Sequence, residues 1–352
     1  MNISLKFFKT VLFIQLFAYV MLLSCKKIDN KPSVTTDPAF WISRTSTHFK
    51  GSYINEGIDT VISYGFCWST KSQPTYDDHR TGSDYMINGT YGTVLSGLSP
   101  ATTYYVRAYA TTVDVKIYGN QESFTTKPAT SLLTFNPALT YQTVSDIDGN
   151  IYKTIKIGTQ EWMAENLKTS RLNDGTTIPV VTDDNIWDNL KSPGLSWYNN
   201  SETDFKNIYG GYYNWYSVSS GKLCPVGWHV SSENDWITLK VFLGMTPEDA
   251  AGGYYTNNLV ANKIKETGTL NWVGESKGET NESGFTALPG GSRISSITFI
   301  GEGESGYWWS SSLIDGKTFS HWVVQNETNI LRREITSTEN GSFGFNVRCV
   351  KD

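Results

Sequence analysis

The sequence predicts two domains in tandem: an all-β sandwich, then an α+β domain rich in loops and aromatic residues. Three observations point there. Period-two runs of bulky residues recur up to about residue 127. Aromatics make up 14% of the chain and glycines number 31, with many Thr and Ser, a composition suited to strands and turns. Beyond Lys127-Pro128-Ala129-Thr130-Ser131 the composition shifts, because ten of the twelve tryptophans follow and a capped helix joins the hairpin signals.

The first element is an export signal. Lys6 and Lys9 precede an apolar stretch, Val11 to Leu23, broken only by Gln15. That is a charged n-region and an h-region of signal-peptide length, too short for a comfortable transmembrane span. It ends Leu22-Leu23-Ser24-Cys25, which resembles the lipobox of bacterial lipoproteins. The resemblance implies a signal peptide over 1–24, cleavage before Cys25, and lipid on that thiol. Several acyl chains on one residue anchor firmly where one would not. Residues 25–37, polar with Pro32, read as a lipidated tether. Charges just after Cys25 resemble, without its full acidic pair, the export signal of Bacteroidetes surface lipoproteins. The expectation is an outer-membrane lipoprotein, at the cell surface or on the periplasmic face.

Removing residues 1–24 takes away two lysines and no acid, so the net charge moves from −5 to −7. A mildly acidic chain without a basic run argues against nucleic acid as a partner. Of the four cysteines, Cys25 takes the lipid; Cys67, Cys224 and Cys349 in an oxidising compartment then imply one bridge and one odd thiol.

Residues 38–127 read as successive strands. His48–Ile54 and Val61–Thr70 flank an Asn55-Glu56-Gly57 turn, and Tyr64, Phe66 and Trp68 alternate with Gly65, Cys67 and Ser69. Further on, Tyr104, Val106 and Ala108 point one way while Tyr105, Arg107 and Tyr109 point the other. The pattern Leu98-x-Pro100-x-Thr102-x-Tyr104-x-Val106-x-Ala108 resembles a fibronectin type III domain, which implies a Tyr104 hydroxyl bonded to upstream backbone. Such a sandwich is expected to act as a spacer, and Cys67 inside its strand as a buried thiol.

Residues 128–140 read as a linker, the stretch from 132 as either linker or first strand, and 141–352 as the second domain. Asp148-Gly149, Asp174-Gly175, Asp315-Gly316 and Asn340-Gly341 signal hairpins. One helix is clear: Ser231 or Ser232 caps it, Glu233 and Asp235 lie in its first turn, and Gly244 stops it. Its Trp236, Leu239 and Leu243 share one face, and a weaker helix covers Leu259–Lys265. Asp146-x-Asp148-Gly149-Asn150-x-Tyr152, Gln160-x-Trp162-Met163-Ala164-Glu165-Asn166-Leu167, Tyr212-Tyr213-Asn214-Trp215-Tyr216 and Cys224-Pro225-x-Gly227-Trp228-His229-Val230 follow in order. Gly284-Phe285-x-Ala287-Leu288-Pro289-Gly290-Gly291, Tyr307-Trp308-Trp309-Ser310-Ser311 and Gly344-Phe345-Asn346-Val347-Arg348-Cys349-Val350 complete the set. Together these resemble the FISUMP family, the Fibrobacter succinogenes major paralogous domain. The resemblance implies a C-type-lectin-like fold, shared with formylglycine-generating enzymes and with the variable proteins of diversity-generating retroelements. It also implies that Cys224 and Cys349 pair.

Metal and catalytic readings weaken on inspection. Asp146-Ile147-Asp148-Gly149-Asn150 lacks the Gly and Glu that an EF-hand needs at its sixth and twelfth positions, which here are Ile151 and Ile157. The Glu-Pro-Asn, Gln-Pro-Asp and Trp-Asn-Asp triplets of calcium-dependent lectins are absent. His229 and His321 have no Cys or His at ligand spacing. Gly274-Glu275-Ser276-Lys277-Gly278 matches a nucleophile elbow only formally, because it sits in a polar loop-like stretch. No metal, no cofactor and no catalysis are therefore expected.

The tryptophans are read mostly as core, with some exposed for stacking on sugar or anchoring a protein. In the variable proteins sharing the implied fold, ligand contacts precede the C-terminal strand. The matching segment here, Trp308 to Asn340, makes Trp322, Gln325, Asn326, Asn329, Arg332 and Arg333 the candidate binding face. The expected function is an anchored binding or adhesion protein whose head recognises glycan or protein without metal. A structural or assembly component of the envelope or of a pilus is the alternative, and a relative of the formylglycine-generating oxidases the weaker one.

Overall fold

The computed structural model describes residues 32–54, 60–83, 86–129, 133–252, 260–275, 277–294, 297–337 and 341–352. The signal segment, Cys25, the Asn55-Glu56-Gly57 turn, Leu259, Ser276 and Asn340 lie outside the described residues.

The first domain holds β1 (Ser33–Thr36), β2 (Thr47–Ile54), β3 (Ser63–Ser69), β4 (His79–Gly82), β5 (Met86–Ile87), β6 (Thr90–Leu95), β7 (Thr103–Thr111), β8 (Lys116–Tyr118) and β9 (Glu122–Thr125). They form two sheets, one ordered β1-β2-β6-β5, the other β4-β3-β7-β8 with β9 also on β7. Phe49 of β2 meets Phe66 of β3 at 5.4 Å, and Tyr91, Val106, Ala108 and Phe124 close the core between the sheets. The alternation along β7 has its expected outcome, with Tyr104, Val106 and Ala108 inside. The Tyr104 hydroxyl accepts from Ser99 N at 3.0 Å, the upstream bond that the sequence pattern implied. Cys67 is fully buried, and burial pushes its thiol up to about 11, so it is inert at neutral pH.

One boundary moves. The sandwich begins at Ser33, inside the stretch read as tether, because Val34 and Thr36 face the core and β1 pairs with β2. Four residues are too few to display a period.

The second domain contains β10 (Gln142–Ser145), β11 (Ile151–Ile157), β12 (Gln160–Met163), β13 (Leu195–Ser196), β14 (Tyr212–Tyr213), β15 (Trp228–Val230), β16 (Ser292–Ile294), β17 (Ile297–Ile300), β18 (Ser305–Ile314), β19 (Thr318–Gln325), β20 (Leu331–Ser337) and β21 (Cys349–Lys351). Its helices are α1 (Asp184–Asn189), α2 (Glu202–Tyr209), α3 (Trp215–Val218), α4 (Glu233–Phe242), α5 (Pro247–Ala251) and α6 (Val260–Ile264). The central sheet runs β10-β11-β12-β21-β15, so the last strand lies between two early ones. Tyr152, Met163 and Cys349 belong to a core cluster with Trp215 and Trp309; Ile155, Trp162 and Val350 belong to another with Trp236, Trp308 and Trp322. Cys224 and Cys349 are joined in a disulfide beneath the surface. Residues 133–141 make no strand; Phe135, Leu139 and Tyr141 pack onto the second of these clusters.

Local signals held where they were strongest. Ser232 caps α4 in a capping box with Asp235. The Asp315-Gly316 hairpin between β18 and β19 has both residues at positive φ, 52° and 67°, the pair of values a type I′ turn requires. Asp146 is consumed by its own turn, accepting from Asp148 N, Asn150 N and the Tyr152 hydroxyl, while Asp148 holds Arg171. No group of three or more His, Cys, Asp or Glu suited to a metal ion occurs among the described residues.

A buried ionic network ties the domains together. The Arg44 guanidinium, from the turn between β1 and β2, donates to Glu302 Oε1 (3.2 Å), the Tyr209 hydroxyl (2.7 Å), Asn271 Oδ1 (2.6 Å) and Pro128 O (3.1 Å). The Tyr209 hydroxyl in turn donates to Glu302 at 2.6 Å. Arg44 and Glu302 are both completely buried. Burial opposes the charge on Arg44, yet Tyr209 and Glu302 hold its pKa above the ordinary value. Lys127 adds bonds to Thr269 O and Trp272 O, and His48 bonds Glu304 at 2.7 Å. The sandwich is thus bonded directly to the second domain.

A cleft between the domains

The residues proposed from sequence for a binding face do not share one. β19 is the central strand of a three-stranded sheet, β18-β19-β20, and its burial is continuous from Phe319 to Val324. Trp322 is completely buried, stacked on Trp236 of α4 at 5.4 Å with the Lys240 ammonium over its ring at 4.8 Å. It is core and is not available to a ligand. The physical reason is that α4 covers this face of the sheet, so both sides of β19 are packed. Trp322→Phe is expected to lower stability by about 1–2 kcal/mol through lost packing. Denaturant unfolding measures the loss, and any ligand binding should be untouched.

The other five candidates scatter. Arg332 bonds Gln325 (2.6 Å) and Glu334 (2.7 Å) on the face of the sheet opposite to Trp322. There His321, buried and bonded to Glu334 at 3.3 Å, has its pKa lowered by burial against the pull of Glu334. Bonds from His321 and Arg332 hold the Glu334 carboxyl at about 2. Arg333 points the other way and pairs with Glu233 of α4 at 2.6 Å. Period two separates neighbours in a strand, so Arg332 and Arg333 could not act on one ligand. Asn329 lies in the β19–β20 turn, where its carbonyl accepts from Ala261 N. Asn326 lines a cavity.

That cavity, about 450 Å³, lies between the domains. Phe40 and Trp41 line it from the sandwich, Val273, Gly274, Glu275 and Lys277 from the loop after α6, and Asn326 and Glu327 from the turn after β19. Arg44 lies three residues after Trp41, its partner Asn271 lies two residues before Val273, and Val273 N donates to Gly303 O (2.8 Å), next to Glu302. Trp41 is half-buried and adopts φ 50°, in the left-handed region. For a bulky non-glycine residue such a conformation costs about 1–3 kcal/mol and persists only where its surroundings hold it. Here Phe40 (5.7 Å) and His48 (4.8 Å) meet the indole edge-on, and His48 is held in turn by Glu304. Asn326 is 9% exposed; its Oδ1 accepts from Glu327 N and its Nδ2 donates to Val273 O at 3.4 Å. Glu275, Lys277 and Glu327 are exposed at the rim.

The Fibrobacter succinogenes major domain model matches residues 155–351, more than half of the sequence. The chain belongs to that family. The match starts at β11 and runs into β21, so in this Fibrobacter succinogenes major domain protein it includes the second-domain wall of the cleft and leaves Phe40 and Trp41 outside. No curated protein matches the chain. Solved structures similar to it include the sensor domain of the anti-sigma factor RsgI4 from Pseudobacteroides cellulosolvens: 17% identity over 29% of this chain and 99% of that one, TM-score 0.23. Human fibronectin type III domains are also among them. One from the KIAA0970 protein is 14% identical over 32% of this chain and 86% of that one, TM-score 0.21. The sixth domain of fibronectin type III domain containing protein 3 is 19% identical over 28% and 86%, TM-score 0.20. At these scores the likenesses carry no functional conclusion.

Sequence reasoning missed Phe40, Trp41, Val273, Gly274, Glu275 and Lys277 as a site. One signal was present. Trp41 is one of two tryptophans outside the second domain, and unlike Trp68 it belongs to no alternating strand.

Proposed function

We propose that this chain is a lipid-anchored binding protein of the outer membrane, displayed at the cell surface, which meets a glycan or a protein in the cleft between its domains. The observation that carries it is Trp41, a strained, half-buried indole at a cavity rimmed by Glu275, Lys277 and Glu327. A concave site with an aromatic wall and a few polar groups suits recognition. No metal, cofactor or nucleic acid enters this reading. Binding rather than catalysis is further supported by Cys224 and Cys349, whose thiols are joined in a disulfide and so not free for copper-thiolate chemistry of the formylglycine-generating kind. The C-type-lectin-like fold belongs to the same proposal; its support is β21 lying between β12 and β15 and tied by that bridge.

Two measurements test it. Glycan and protein arrays are probed with residues 26–352 and with the Trp41→Ala variant. Features bound by the former and lost in the latter support the cleft; features bound equally by both remove it. Anchoring is tested by Cys25→Ala, expected to move the protein from the membrane fraction to the soluble one. A variant that stays in the membrane fraction ends the lipoprotein reading.

A further inference from the structure

We propose that the cleft takes a neutral saccharide, with one sugar ring against Trp41 and its hydroxyls held by Asn326, Glu275, Glu327 and Lys277. This rests on the cleft being the ligand site.

The chemistry of the walls selects the class. Neither Phe40 nor His48 stacks on the Trp41 indole; both stand nearly perpendicular to it, at 68° and 72°. Trp41 is partly exposed and lines the cavity, so part of its indole, an apolar ring that carries a polar N–H donor, meets the ligand space. A pyranose ring offers the complement, an apolar C–H face bordered by hydroxyls that donate and accept. Gly274, at φ +87°, sits between two such donors: a Cβ there would come 3.2 Å from Trp41 Nε1 and 3.7 Å from Asn326 Nδ2. The missing side chain lets the loop backbone pass close to the indole N–H and the Asn326 amide, so both donors lie at one corner of the cavity. Among the described residues, the one bond recorded for Asn326 Nδ2 is the long one to Val273 O, although an amide nitrogen carries two hydrogens.

The rim completes the match. Glu275 and Glu327 accept from hydroxyls, and Lys277 donates to them. Two acids against one base leave the rim negative, which disfavours uronates, sialic acids and phosphates. At about 450 Å³ the cavity is of small-ligand size and suits a short oligosaccharide.

The test is calorimetric titration of the intact two-domain chain with cellohexaose, xylohexaose, mannohexaose, maltohexaose and laminarihexaose, beside trigalacturonate. At least one neutral probe is expected to bind and trigalacturonate is not. Trp41→Ala should weaken that binding about tenfold or more. Glu327→Gln, an exposed change that spares the fold, should weaken it by roughly threefold to tenfold. Unfolding midpoints of both variants are measured alongside, so that lost binding is not mistaken for lost structure. If no neutral probe binds, or if trigalacturonate binds more tightly, the saccharide class is wrong. Should an array protein still be lost in Trp41→Ala, the cleft survives that failure. Neutral binding unchanged in both variants overturns the cleft itself.

Discussion

Replacing Arg44 with Ala is expected to destabilise the protein by about 3–5 kcal/mol, because removing one partner of a buried ion pair leaves the other charge uncompensated. Glu302 would lose a guanidinium donor and the Tyr209 hydroxyl would lose one of its two partners. Asn271 Oδ1 and Pro128 O would each lose a donor as well. The effect should also change the form of unfolding. With the network intact, the domains are expected to melt in one transition; in the variant, the sandwich and the second domain should separate into two. Calorimetry reads both quantities. Adding Glu302→Gln to Arg44→Ala should recover part of the loss, since it removes the unpaired charge and keeps an acceptor for the backbone N–H of residue 44 and for the Tyr209 hydroxyl. A loss below about 1 kcal/mol for Arg44→Ala, the range of exposed pairs, would show that the domains are not coupled through this residue.

The second large effect belongs to the bridge. Cys224 and Cys349 lie 125 residues apart, and closing a loop of that length restricts the unfolded chain by about 5 kcal/mol in the chain-entropy model. The bridge anchors a strand of only three residues, β21, which pairs with β12 through Val350 and with β15 through Cys349, Val350 and Lys351. A strand so short has few ladder bonds of its own. The Cys224→Ala, Cys349→Ala double variant is therefore expected to unfold at much lower urea, with β21 the first element to lose amide protection in hydrogen exchange. Reductant should shift the parent protein and leave the double variant where it is. Equal midpoints for the two oxidised proteins would contradict the expectation.

Arg348, next to the bridge, is a further part of this corner. Its guanidinium is completely buried and makes no ion pair among the described residues; it donates to Asn166 Oδ1 and to the carbonyls of Met163, Phe285 and Thr286. Burial pulls its pKa down to about 9. Four oriented acceptors hold the group in place, but they do not offset burial as Glu302 and Tyr209 do for Arg44.

Much of the fold was legible because its signals are local. Tyr104, Val106 and Ala108 reveal their strand by alternation, Ser232 and Asp235 reveal the start of α4 by capping, and Asp315-Gly316 reveals a turn by the φ values it tolerates. Each depends on neighbours a few residues away. The candidate site was mostly not legible. Trp322 occurs within Trp322-Val323-Val324, a continuous apolar run rather than an alternation, and such a run marks a strand covered on both faces. Arg332 and Arg333 looked like one patch because adjacency in sequence hides the alternation of a strand.

By itself the sequence determined the succession of the two domains: a sandwich, then a tryptophan-rich second domain. Those follow from periodicity, capping and turn chemistry within short windows. Tertiary structure alone decided which side chains meet. Arg44 and Glu302 are 258 residues apart, and Trp41 reaches Gly274 across a domain boundary. Neither pairing leaves a trace in any local pattern, because both are made by turns and loops whose positions are set by the packing of the strands around them. The cleft is where the two kinds of information join.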